Sequence, residues 1–175
     1  AKGMTPEGAR QALLDKRIYF GAMMLALGKA DGLVAGSIAS TGDMLRAAFQ
    51  CVGTAPGIKL ASSTFLMGLR KPTAAGDDVL CFADCAVNPC PTAEQMVDIA
   101  LATARTFRAL VGKQPKVAFL SFSSKGSAKH ELVDKVAEAT RLTKAKFEEL
   151  GLDAVVDGEL QADAAIVPSV ALQKN

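Results

Sequence analysis

Val117-Ala-Phe-Leu-Ser-Phe-Ser-Ser-Lys-Gly-Ser127 carries a short apolar run straight into a loop of hydroxyls, Lys125 and Gly126. A long segment from Ala128 to Leu150 follows, and then a second short apolar run, Ala154-Val-Val156. The runs are too short for helices and the segment between them is too long for a strand, which predicts strand, loop, helix, strand. Strands alternating with helices in this way argue for the α/β fold class.

Working back from there, Thr92-Ala-Glu-Gln95 is a capping box that opens a helix to about Val111. Ile58–Leu69 and Val79–Val87 are apolar without a helical stripe, and the polar stretch Arg70–Asp78 lies between them. Two antiparallel strands with an exposed excursion fit best. Asn88-Pro-Cys-Pro91 closes the second, since proline cannot donate to a ladder. Thr5-Pro6-Glu7 starts a helix expected to run to Leu27, with Gly28 stopping it. Leu33-Val-Ala35 reads as a short buried strand, Gly36–Gly42 as a small-residue loop, Asp43–Val52 as a helix and Gly53–Gly57 as a break. The whole predicts a mixed, mostly parallel sheet in a three-layer α/β/α arrangement.

With 175 residues, the chain suffices for one ordinary domain or two small ones. Hydrophobic residues make up 50% and charged residues 22%, which excludes intrinsic disorder. No run of eighteen uncharged apolar residues exists, so no membrane span is expected. A net charge of +2, one Tyr and no Trp leave nucleic acid without its phosphate and stacking surfaces. Cys81, Cys85 and Cys90 are spaced C-x3-C-x4-C, unlike the C-x2-C pairs of zinc or iron–sulfur sites, and with Cys51 are expected to be buried free thiols. Reduced cysteines and the absence of a signal peptide make the cytoplasm the expected compartment. The chain opens on Ala1 and ends inside an apolar, helix-like stretch, and is read as a piece of a longer protein.

Several places carry candidate chemistry. Gly36–Gly42 leads into a helix beginning near Ser40 and Thr41, whose free N–H groups suit an anion, with Arg46 one turn in as a bidentate clamp. A capped surface helix with a solvated Arg46 explains the same residues. Lys125, Gly126 and Ser127 suit a phosphate or pyrophosphate at the carboxyl end of a strand. The loop is not a Walker A sequence, and Ser127 or a neighbour serving only as a helix cap is the alternative. Glu159 and Asp163, four apart, would share one helix face and with Asp157 could hold a divalent cation, or merely cap and pair. Asp84 in an apolar strand must be paired, for instance with an Arg of another domain, or must face a cleft. His130, the only histidine, reads as a solvated helix residue.

In this order the strings resemble the phosphate acetyltransferase (phosphotransacetylase) family. They are Lys2-Gly-Met-Thr5, Ala30-Asp-Gly-Leu-Val-Ala-Gly36, Thr41-Gly-Asp-Met-Leu-Arg46, Phe82-Ala-Asp-Cys-Ala-Val-Asn-Pro89, Ser121–Ser127 and Asp157–Pro168. Phe82-Ala-Asp84 and Asp157-Gly-Glu-Leu-Gln161 are also shared with the tail of some malic enzymes. The resemblance implies reversible acetyl transfer between coenzyme A and inorganic phosphate, without metal or cofactor beyond coenzyme A as substrate. It implies two α/β domains resembling the isocitrate/isopropylmalate dehydrogenase-like fold, a cleft site, and a homodimer. Residues 1–56 would be part of the first domain, 57–165 the second, and 166–175 the start of the return. Arg46 matches a phosphate-binding Arg of the family; Ser40, Thr41, Lys125, Gly126 and Ser127 are the other substrate-binding candidates. The family's general-base Asp, a Ser-Arg pair and a further substrate Arg would lie outside this chain. Phosphate butyryltransferase and a non-catalytic acetyl-CoA-sensing domain are the alternatives.

Overall fold

The computed structural model describes residues 3–56 and 58–174. Lys2 of the first family string and Gly57 of the expected break lie outside the described residues. The chain divides into two compact units, Ala1–Gly57 and Ile58–Asn175.

In the first unit, α1 (Pro6–Asp15) starts as expected, Thr5 accepting from the Gly8 N–H with Pro6 in the first turn. The single long helix expected to Leu27 is two helices. Lys16 is extended (φ −124°, ψ 102°) and serves both as C-cap of α1 and N-cap of α2 (Arg17–Ala26). Nothing in Asp15-Lys16 announces the break; Lys16 reaches instead to Asp43 on α3 (Thr41–Cys51). Tyr19, Ala22 and Ala47 form the small core between α2 and α3, and the Tyr19 hydroxyl donates to Gln50 at 2.8 Å. Leu33–Ala35 is not a strand, and Val34 is fully exposed. A strand needs a neighbour to satisfy its backbone, and among the described residues this unit contains none.

In the second unit, β1 (Phe65–Gly68) and β2 (Val79–Phe82) pair antiparallel, with Phe65 opposite Phe82, across the expected excursion. Lys113 and Lys116 hold that excursion by its Asp78 and Asp77. The helix α4 (Ala93–Val111) has the capping box read from Thr92 and Gln95, and ends on Gly112. Next come β3 (Lys116–Leu120), α5 (Glu131–Glu149) and β4 (Val155–Leu160), with β3 and β4 parallel. Short α6 (Ala162–Ile166) and α7 (Pro168–Lys174) follow. The core joins Ala100, Leu101 and Ala104 of α4, Phe119 of β3, and Val136, Ala139 and Phe147 of α5.

The class is α/β, but the described strands form two separate two-stranded ladders instead of one mixed sheet. Each has open edges, so β3 is largely exposed except at Phe119, where a buried strand was expected. β1 is exposed throughout.

Candidate functional site

Ser40 is the N-cap of α3: its hydroxyl accepts from the Asp43 N–H at 3.1 Å and donates to Asp43 Oδ2 at 3.0 Å. Thr41 is the first helical residue. Arg46, one turn on, donates through Nη1 to Asp43 Oδ1 at 3.1 Å and keeps 57% of its side chain exposed. Lys16 Nζ donates to the same Oδ1 at 2.9 Å. The hydrogen bonds from Lys16 and Ser40, with the charge of Lys16, hold the Asp43 carboxyl below its usual value. The preceding loop contains Gly36 at φ +115°, where a Cβ would meet Met44 Sδ at 2.9 Å. Residues 33–39 with Arg17 and Ile18 line an open depression of about 390 Å³. The sequence placed Ser40, Thr41 and Arg46 together at this helix start, as the structure does; Lys16, at the break between α1 and α2, reaches the same Asp43 and carried no sequence signal.

In the second unit the loop after β3 is held by β4. Glu159, 6% exposed, accepts from the Gly126 N–H at 2.6 Å and the Ser123 hydroxyl at 3.0 Å. Its carbonyl accepts from the Lys125 N–H at 3.1 Å. Ser127 Oγ accepts from the Ser124 N–H at 3.0 Å, and Ser124 Oγ accepts from the Gln161 N–H at 2.8 Å. Lys125 sits at φ +50°, a left-handed conformation uncommon outside glycine. Its ammonium pairs with Asp157, which Lys144 approaches at 3.7 Å. Lys125, Gly126 and Ser127 therefore lie together at the carboxyl end of β3.

Four expectations change here. Ser127 caps no helix: α5 starts later, with His130 as N-cap, its ring accepting from the Leu132 N–H. The helix waits because Ser123 to Ser127 are tied to β4 and to one another. Asp157 and Glu159 lie on β4 and only Asp163 on α6, so Glu159 and Asp163 share no helix face. Their partners differ as well, Asp163 pairing with Lys174, and among the described residues no His, Cys, Asp or Glu group is arranged to hold a metal. Asp84 lies beyond the end of β2 instead of inside a strand, and among the described residues its partners are neighbouring loop groups. It accepts from the Ser63 hydroxyl, from Asn88, and from the N–H groups of Ala86 and Val87 at 3.0 Å. The four cysteines are free, Cys90 exposed and the others only half-buried.

Burial pushes the Asp84 carboxyl up, but the Ser63 hydroxyl and the loop N–H groups more than offset it and leave it far below the ordinary range. Glu159 follows the same pattern, burial raising its pKa and the Gly126 N–H, Ser123 and Lys125 together lowering it further. A carboxylate so held stays ionised and is a poor proton acceptor. Asp84 and Glu159 are staples of their loops.

Comparison with known proteins covers the whole chain. A family model described as phosphate acetyl/butaryl transferase matches residues 1–175. A phosphate acetyltransferase of Thermoanaerobacterium thermosaccharolyticum is 52% identical over 170 residues, covering 97% of this chain and 50% of that protein. One from Acetivibrio thermocellus is 47% identical over 174 residues, covering 99% of this chain and 51% of that protein. Among solved structures, the EutD phosphotransacetylase from Staphylococcus aureus superposes with a TM-score of 0.81 at 46% identity, covering 98% of this chain and 50% of that one. The chain thus spans about half the length of the relatives it matches.

Proposed function

The chain belongs to the phosphate acetyl/butaryl transferase family, and from that premise we propose that it is part of a phosphate acetyltransferase. The reaction is reversible acetyl transfer between coenzyme A and inorganic phosphate. The observation that carries this reading is the 52% identity to a phosphate acetyltransferase over 97% of the chain, a span that takes in both residue groups described above.

In the proposed chemistry the thiolate of coenzyme A attacks the carbonyl carbon of acetyl phosphate. The carbon–sulfur bond forms, the bond from carbon to the phosphate oxygen breaks, and phosphate leaves with the electron pair. Negative charge grows on the carbonyl oxygen and on phosphate, so fixed cations and N–H donors lower the barrier. We assign Arg46 to the phosphate, with Ser40 and Thr41 beside it, and Lys125, Gly126 and Ser127 as further substrate contacts. The thiol proton goes to a base placed outside residues 1–175, a reading supported by the lowered pKa values of Asp84, Asp157, Glu159 and Asp163. No cofactor is required, since coenzyme A is itself a substrate. A cytoplasmic homodimer with the three-layer, dehydrogenase-like architecture completes the proposal; no described helix is long and apolar enough to cross a membrane.

The test is thioester formation from acetyl phosphate and coenzyme A, with butyryl phosphate in parallel. It is run on this chain and on a polypeptide of the relatives' length that carries it. Turnover of acetyl phosphate by the longer polypeptide is expected. Saturable acetyl-CoA binding without turnover would overturn the enzymatic reading in favour of a sensor, and preference for butyryl phosphate would change the acyl group.

A further inference from the structure

Two cations meet one carboxylate oxygen at the start of α3. Lys16 Nζ lies 2.9 Å and Arg46 Nη1 3.1 Å from Asp43 Oδ1, while the Ser40 hydroxyl donates to Asp43 Oδ2 at 3.0 Å. Lys16 comes from the break between α1 and α2, twenty-seven residues away in sequence, whereas Arg46 is only one turn along the same helix.

Arg46 therefore shares its resting partner with a second cation. We infer that Lys16 is a positioning residue: by holding Asp43 it leaves the Arg46 guanidinium free to turn to an incoming phosphate. This rests on the assignment of Arg46 to phosphate made above.

The charge balance gives the reason. Lys16, Arg46 and Asp43 together carry one net positive charge, which favours an anion. Without Lys16 the net charge is zero, and Asp43 has only Arg46 as a cationic partner. An arriving phosphate must then displace a carboxylate from the guanidinium that is meant to bind it, and must do so beside an uncompensated negative charge. The Asp43 carboxyl already draws more from Lys16 than from Arg46, in keeping with Arg46 being the partner that leaves.

The argument also fixes what Lys16 does not do. It acts on substrate through Asp43 and Arg46, so its loss shows in the affinity for phosphate and acetyl phosphate, and not in the turnover of bound substrate. Removing Asp43 as well cancels the effect, because the carboxylate that would trap Arg46 is gone.

The experiment uses a polypeptide of the relatives' length carrying this sequence. Five variants, Lys16→Met, Lys16→Arg, Lys16→Met with Asp43→Asn, Asp43→Asn and Arg46→Gln, are assayed with inorganic phosphate and acetyl-CoA. Lys16→Met is expected to raise KM for phosphate about three- to tenfold, at kcat within about twofold. Lys16→Arg and the double variant should return it to near the parent value.

An unchanged KM for phosphate in Lys16→Met, while Arg46→Gln raises it, overturns the inference and leaves the Arg46 assignment standing. An equal rise for phosphate and acetyl-CoA, or no recovery in the double variant, also overturns it, since either marks general damage. If Arg46→Gln itself leaves KM and kcat unchanged, the Arg46 assignment fails and the inference with it. Thermal unfolding of each variant separates these outcomes from loss of fold; Lys16 is half exposed, so its substitution leaves no buried gap.

Discussion

Glu159 on β4 holds the backbone N–H of Gly126 at 2.6 Å, thirty-three residues away in sequence. The same carboxylate oxygen takes the Ser123 hydroxyl, and the Glu159 carbonyl takes the Lys125 N–H. One residue thus fixes the course of the candidate loop. Glu159→Ala removes the acceptor of the Gly126 N–H and of the buried Ser123 hydroxyl, at a cost of about 1.5–3 kcal/mol. The urea midpoint of the second unit should fall accordingly. An unchanged midpoint would show that the loop holds its shape without Glu159.

Acid should weaken the second unit through the same groups. Asp84 and Glu159 have folded-state pKa values below their unfolded ones. Their contribution is therefore fully present above the unfolded-state values of about 4, and is lost as pH falls through the lowered folded-state values. Asp84→Asn should lower stability at pH 7 and flatten its decline toward acid. Urea unfolding at a series of pH values from neutral to acid reads both effects, and an equally steep decline in the variant would remove Asp84 from the account.

Gly158 lies at φ +152°, with Thr140 Oγ1 2.6 Å, Phe119 Cβ 2.8 Å and the Phe119 carbonyl 3.0 Å from where a Cβ would stand. Gly158→Ala combines backbone strain with a clash against α5 and β3. It is expected to cost at least about 2 kcal/mol, measurable by thermal unfolding. Wild-type stability in this variant would mean that β4 can shift away from α5.

Arg46→Gln removes the cation assigned to phosphate. A lost electrostatic donor of this type costs about 2–4 kcal/mol, or about 30- to 1,000-fold in kcat/KM. The measurement is steady-state turnover in the longer polypeptide, with circular dichroism as the control for fold. A loss under threefold would exclude Arg46 from the transition state.

Local signals in the sequence were the legible ones. Thr5-Pro6, Ser40 and Thr92 each announced a helix start, because capping is settled within four residues. The Asp77–Asp78 excursion showed itself through polarity. What escaped was decided at long range. The kink at Lys16 has no sequence mark, and its side chain finds Asp43 only once α2 packs on α3. Asp157 looked to lie just past the strand and Glu159 to open a helical turn, because the apolar run stops at Val156. Yet the strand continues through them, since Glu159 is satisfied by a loop thirty-odd residues earlier. Ser40, Thr41 and Arg46 could be singled out as candidates from spacing, while the pairing of Lys16 with Asp43 could not.

The β3–β4 pairing sets an order of assembly. Lys116 sits opposite Val155, with the whole of α5 between them, whereas Phe65 and Phe82 are joined by a short excursion. Closing the longer loop costs more entropy before any contact is gained. As the chain emerges from a ribosome, the β1–β2 hairpin is complete before β3 has been made. β3 then waits, one apolar strand without its mate, until α5 has formed and β4 has been synthesised. Pulse-labelled hydrogen exchange during refolding should accordingly protect the amides of β1 and β2 before those of β3, and protect β3 together with α5.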